Sequence, residues 1–240
     1  MPPNWPSEGV VEYKNFTLRY RPETEQVLKN LSFRVEGGEK IGIVGRTGAG
    51  KSTMCLSLCR IVEAESGSIF IDGVDISTVG LTDLREKITI IPQDPVLFQG
   101  TLKYNLDPFN ECTDEEILAL IRKAQLSDLV ARDERGLYME IQENGSNLSS
   151  GEKQLVCICR AVLRKNKIVL MDEATANIDI STEQTIQKLI SEEFKGSTVL
   201  TVAHRLNTIA DSDRVLVLSF GEVVEFDKPR KVQFMKDKME

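Results

Sequence analysis

The sequence predicts an α/β fold: a largely parallel sheet covered by helices, an antiparallel β subdomain, and a helical insert. Three observations carry this. The continuous apolar runs at 41–44, 168–171 and 199–202 read as strands buried on both faces, which is the pattern of a parallel sheet with helices on either side. Residues 10–20 instead alternate apolar and polar, as a strand with one wet face does. Between about 94 and 165 the strand signals vanish and the apolar spacing turns helical.

Taken in order, strands are expected at 10–20, 27–35, 40–44, 68–71, 88–91, 168–171, 199–202 and 214–218, each rich in Val, Ile or Phe and bounded by Gly or charge. A helix is expected over 52–60. A second runs over 114–123, where Thr113 is placed to cap it, and a third, apolar on one side, over 150–164. The organisation is a single domain over 1–240: core and β subdomain at about 1–93 and 166–240, helical subdomain at about 94–165. No repeat, low-complexity segment or linker composition interrupts it.

The 240 residues are 41% hydrophobic and 28% charged, the composition of a globular protein with a full core. The formal charge of −7 argues against a sequence-independent grip on nucleic acid. No apolar run has the length of a membrane span, and the first residues lack the basic and apolar regions of a secretory signal, so the chain is expected to be soluble. Cys55, Cys59, Cys112, Cys157 and Cys159 form no C-x-x-C pair, and His204 is the single histidine. A zinc cluster is thereby disfavoured, and reduced core thiols fit a cytosolic setting.

The chemistry begins at Gly45-Arg46-Thr47-Gly48-Ala49-Gly50-Lys51-Ser52, which fits G-x-x-x-x-G-K-[ST] between an expected strand and an expected helix. Glycines there let backbone amides turn inward around phosphates, and the following helix start adds positive potential. Lys51 is expected to contact the β- and γ-phosphates and Ser52 to hold Mg²⁺, with Thr53 next in the same helix. Downstream, the strand at 168–171 runs into Asp172 and Glu173, at the sheet edge where ligands of open α/β sheets bind. Asp172 is expected on the metal side, and Glu173 as the general base that polarises water.

A further motif, Leu148-Ser149-Ser150-Gly151-Glu152, lies shortly before that strand. With it the sequence resembles the nucleotide-binding domain of ABC transporters over nearly its whole length, in order Tyr20, the phosphate loop, Gln93, the 148–152 signature, Asp172-Glu173, Asp179 and His204. The stretches 4–9, 42–51, 90–98, 105–109, 154–157 and 204–208 are most similar to the second such domain of subfamily C, the multidrug-resistance-associated group. The resemblance implies a P-loop NTPase, RecA-like core and a set of roles. Tyr20 would stack on adenine, Gln93 would touch Mg²⁺ and the attacking water, and His204 would bond the γ-phosphate. Ser149, Ser150 and Gly151 would face ATP held by a partner domain, and Asp179 would reach across that dimer.

The signature departs from the usual Leu-Ser-Gly-Gly-Gln at Ser150 and Glu152. Ser150 adds a Cβ where backbone approaches phosphate, and Glu152 is expected to be a solvated carboxylate at the rim. The resemblance implies an ATPase working as a head-to-tail dimer with a second nucleotide-binding domain at the cytoplasmic face of a membrane, where attached transmembrane domains move a solute. The alternatives are an ATP-gated regulatory module of a channel or receptor subunit and a soluble ABC ATPase. On this reading the chain is part of a longer polypeptide.

Overall fold

Strands that lack a wet face need covers on both sides, and the fold supplies them in two compact units. The computed structural model describes residues 2–173 and 178–232; the end of the expected core range, 233–240, lies outside the described residues. One unit comprises Met1–Thr89, Asn166–Glu173 and Gly196–Glu240, the other Ile90–Lys165 and Ala174–Lys195.

In the first unit, β1 (Val11–Leu18), β2 (Leu28–Val35), β3 (Lys40–Val44), α1 (Lys51–Leu58), β4 (Ser66–Ile71), β5 (Val74–Asp75) and α2 (Leu81–Glu86) are followed by β6 (Ile88–Ile91) at the unit's boundary. An antiparallel sheet takes the order β2-β1-β4-β5. Tyr13 of β1 is fully buried, and its hydroxyl donates to the carbonyl of Met54 in α1 at 2.9 Å. That bond fixes α1, and with it the loop before it, to the antiparallel sheet. The N-terminal segment is tied to the β4–β5 turn: Asp72 accepts the amides of Ser7, Glu8, Gly9 and Val10, and the buried Trp5 indole donates to Ile71 O at 2.8 Å.

The second unit holds β7 (Gly100–Thr101), α3 (Leu102–Leu106), α4 (Asp114–Lys123), α5 (Ser127–Ala131), β8 (Glu140–Ile141) and α6 (Ser150–Leu163). The chain then returns through β9 (Ile168–Asp172), passes α7 (Ile180–Glu193), and ends its described part with β10 (Thr198–Val202), α8 (Leu206–Ala210), β11 (Arg214–Ser219) and β12 (Glu222–Asp227). Helix α7 belongs to the second unit, so that unit draws on chain beyond the expected insert. Nor is the insert free of strands. Gly100 pairs with Ile141 and Thr101 with Glu140, a ladder too short to leave a periodic signal. Thr113 caps α4 in a full capping box with Glu116.

The main sheet runs β12-β11-β3-β10-β9-β6. Strands β11, β3, β10 and β9 are mutually parallel, so their carboxyl ends share one edge. Strand β12 closes the sheet antiparallel to β11. Its six residues mix Glu and Asp with Val and Phe and are all exposed or half-buried, as in an edge strand, and a search for apolar runs passes over them.

Candidate functional site

The loop Gly45–Gly50 leaves the buried end of β3 and enters α1. Gly50 sits at the helix N-cap with φ +100°, a conformation L side chains rarely adopt, and a Cβ there would come within 2.9 Å of Leu28. The N-cap of α1 is a glycine with no side chain to cap it, so among the described residues its leading amides stay available to an anion. Arg46, Thr47, Gly48 and Ser52 are exposed, while Ala49 and Gly50 are buried. The Lys51 ammonium donates to its own loop, to Gly45 O at 2.7 Å and Arg46 O at 3.0 Å. Burial pushes its pKa below the ordinary lysine range, and the Asp172 carboxylate pulls it partly back. Tyr20 is 51% exposed, and its hydroxyl shares a 2.6 Å hydrogen bond with Thr53 Oγ1.

At the carboxyl end of β9, Asp172 Oδ1 is buried and has no hydrogen-bond partner among the described residues. His204 Nε2 lies 3.5 Å from it, on a side chain 49% exposed. Glu173 is only 6% exposed. Its Oε2 accepts the amides of His204 at 2.8 Å and Arg205 at 3.1 Å, and its Oε1 accepts the Thr208 hydroxyl. Because β9 lies beside β10, the residue after one strand meets the loop after the other. The first unit thus brings together Tyr20, residues 45–53, Asp172, Glu173 and His204.

The remaining expected residues lie in the second unit. Gln93 follows β6 and is exposed. Ser149 is the N-cap of α6, and its Oγ accepts the Glu152 amide at 3.2 Å. Glu152 corrects the expectation of a solvated carboxylate. It completes the capping box by accepting the Ser149 amide at 3.2 Å and pairs in bidentate fashion with Arg132, whose pKa it raises. Ser150 is exposed at the first helical position. Gly151 faces Thr182 of α7, where a Cβ would approach Thr182 Cγ2 to 2.8 Å. Asp179 caps α7 through bonds with Ser181 and Thr182 that hold its carboxyl well below the usual carboxylate range.

Sequence reasoning missed Thr208 and Arg132. Thr208 ends the 204–208 stretch without a role assigned to it and Arg132 sits in no motif; only contacts distant in sequence bring Thr208 to Glu173 and Arg132 to Glu152. The cysteines behave as core residues: Cys55, Cys59, Cys157 and Cys159 are buried, and burial pushes the Cys55 and Cys159 thiols up to about 12. Among the described residues no group of His, Cys, Asp and Glu could hold a metal by itself, and no helix is long and apolar enough to cross a membrane.

A protein-family model described as ABC transporter matches residues 28–176. The chain is 56% identical over 228 residues to ATP-binding cassette sub-family C member 3 of Rattus norvegicus, covering 95% of the chain and 15% of that relative. It is 52% identical over 231 residues to sub-family C member 2 of Homo sapiens, covering 96% of the chain and 15% of the relative. Among solved structures, a bacterial Atm1-family ABC exporter with ATP bound superposes with a TM-score of 0.86 at 37% identity, over 97% of this chain and 42% of that one. The chain therefore spans about a sixth of the curated relatives' length.

Proposed function

The chain belongs to the ABC transporter family, and from that premise we propose that it binds and hydrolyses Mg-ATP in a head-to-tail dimer with a second nucleotide-binding domain, driving solute transport through transmembrane domains of the same transporter at the cytoplasmic face of a membrane. The observation that carries this is the convergence on one sheet edge. Lys51 after β3, Asp172 and Glu173 at the end of β9, and His204 after β10 come from parallel strands, as a phosphate site at the carboxyl edge requires.

The loop amides and the uncapped start of α1 bind the phosphates, and Lys51 exchanges its two carbonyl partners for phosphate oxygens. Tyr20 supplies a ring face for the base. In the first unit the orphaned Asp172 Oδ1 and the Ser52 hydroxyl would supply hard oxygens of the kind that Mg²⁺ shares with phosphates, and the Gln93 amide is the further ligand that the family resemblance implies. When bound, the ion neutralises charge on the phosphate oxygens. Glu173 orients and polarises the attacking water, and His204, with its imidazole half-exposed beside Asp172, bonds the γ-phosphate. Ser149, Ser150 and Gly151 face the nucleotide of the partner domain.

E173Q and K51A separate binding from turnover. E173Q should bind Mg-ATP nearly as the parent does and lose hydrolysis by roughly 10²- to 10⁴-fold, the usual cost of removing a general base. K51A should instead weaken binding by roughly tenfold to a hundredfold, the worth of a charge-assisted hydrogen bond. Titration with a fluorescent nucleotide and a phosphate-release assay check the pair. Parent-rate hydrolysis by E173Q in the assembled dimer would sink the assignment.

A further inference from the structure

We propose that Thr208 is a positioning residue for hydrolysis: its hydroxyl fixes the plane of the Glu173 carboxylate so that an acceptor position that no described residue fills is presented to the attacking water. The inference rests on Glu173 being the base and adds a role for Thr208, which ends the 204–208 stretch and to which the sequence assigned no function.

An ionised carboxylate offers about four acceptor positions. On Glu173, His204 N–H and Arg205 N–H occupy Oε2, and the Thr208 hydroxyl occupies one side of Oε1. The carboxylate is buried, so water does not fill the remaining position at random. The two amides pin Oε2 but leave the group free to pivot about it; the Thr208 bond stops the pivot. Thr208 lies on α8, one turn beyond His204, and its own carbonyl accepts the Ser212 hydroxyl at 2.8 Å. The support is therefore helical backbone and not a loose loop. The segment 204–208 thus both holds the base, Glu173, and carries the γ-phosphate reader, His204, and a misplacement of about 1 Å in such a pair can cost on the order of 10²-fold in rate.

The experiment measures ATP hydrolysis by the assembled transporter carrying T208V, T208S, E173Q or E173Q with T208V, alongside ADP binding and thermal stability. T208V keeps the shape of threonine and removes the donor. It should lower kcat roughly tenfold, with KM and ADP affinity within about twofold of the parent, and T208S should restore most of the rate. On the E173Q background T208V should cost nothing further, because the group it positions no longer acts as a base. A slow E173Q beside a T208V at the parent rate overturns the inference and leaves the base assignment standing. So does a T208V loss that persists undiminished on E173Q, or one matched by lost ADP affinity or stability. E173Q at the parent rate overturns the base assignment and this inference together.

Discussion

Lys51 shows how a single residue can be held ready for an anion. Its ammonium is covered by its own loop, and burial makes the charged form less favourable than in solution, with Asp172 offsetting part of this. A phosphate favours the charged form, so ATP affinity should fall as pH rises through the Lys51 pKa, which lies below the ordinary lysine range. Stability has the opposite sign: the folded chain holds this proton less tightly than the unfolded one, so this group's contribution to stability increases over the same range. K51R should bind ATP without that fall, because a guanidinium stays protonated. Isothermal titration of ATP from neutral pH upward checks it, and identical profiles for the parent and K51R would refute it. The motif made Lys51 and Ser52 readable from spacing alone. The bonds around Glu173 were not readable, because His204, Arg205 and Thr208 reach it only through the pairing of β9 with β10.

The elements around the signature explain why one of its glycines is kept while its neighbour is not. Ser150 is exposed at the start of α6, whereas Gly151 lies where α7 packs, with Thr182 Cγ2 only 2.8 Å from where a Cβ would stand. G151A should therefore destabilise the second unit by about 1–3 kcal/mol, the range for overpacking a close contact. T182S should recover part of that loss by removing the methyl group while keeping the hydroxyl that bonds Asp179. Urea unfolding of the single and double variants decides this, and additive losses would show that the contact is not the cause. Helices with a chemical start were legible: Thr113 and Glu116 mark α4. Strand β12 and the β7–β8 ladder were not, since one breaks its apolar residues with three acids and the other has only two residues in each strand.

At the scale of the whole molecule, in the dimer proposed above, the signature would decide how the chain works with a second domain. Glu152 is tied into the α6 capping box and paired with Arg132, so it places a fixed negative charge within the first turn of the helix whose positive end would face the partner's nucleotide. Two copies of this chain would present that charge twice, and Ser150 would add a side chain at each half-site. The isolated chain should therefore be mostly monomeric and a weak ATPase, and a partner domain with an unaltered signature should raise turnover at the Lys51 site. The double change S150G and E152Q should act in the same direction for the homodimer. Gln still serves the capping box, the like charge facing the phosphate is gone, and glycine lets backbone approach more closely. Activity per chain should rise and depend more steeply on protein concentration, while the E173Q background should trap the closed dimer for light scattering in ATP. A parent chain that is already fast at dilutions where it scatters as a monomer would refute the shared site, since a complete site within one chain needs no second signature to finish it.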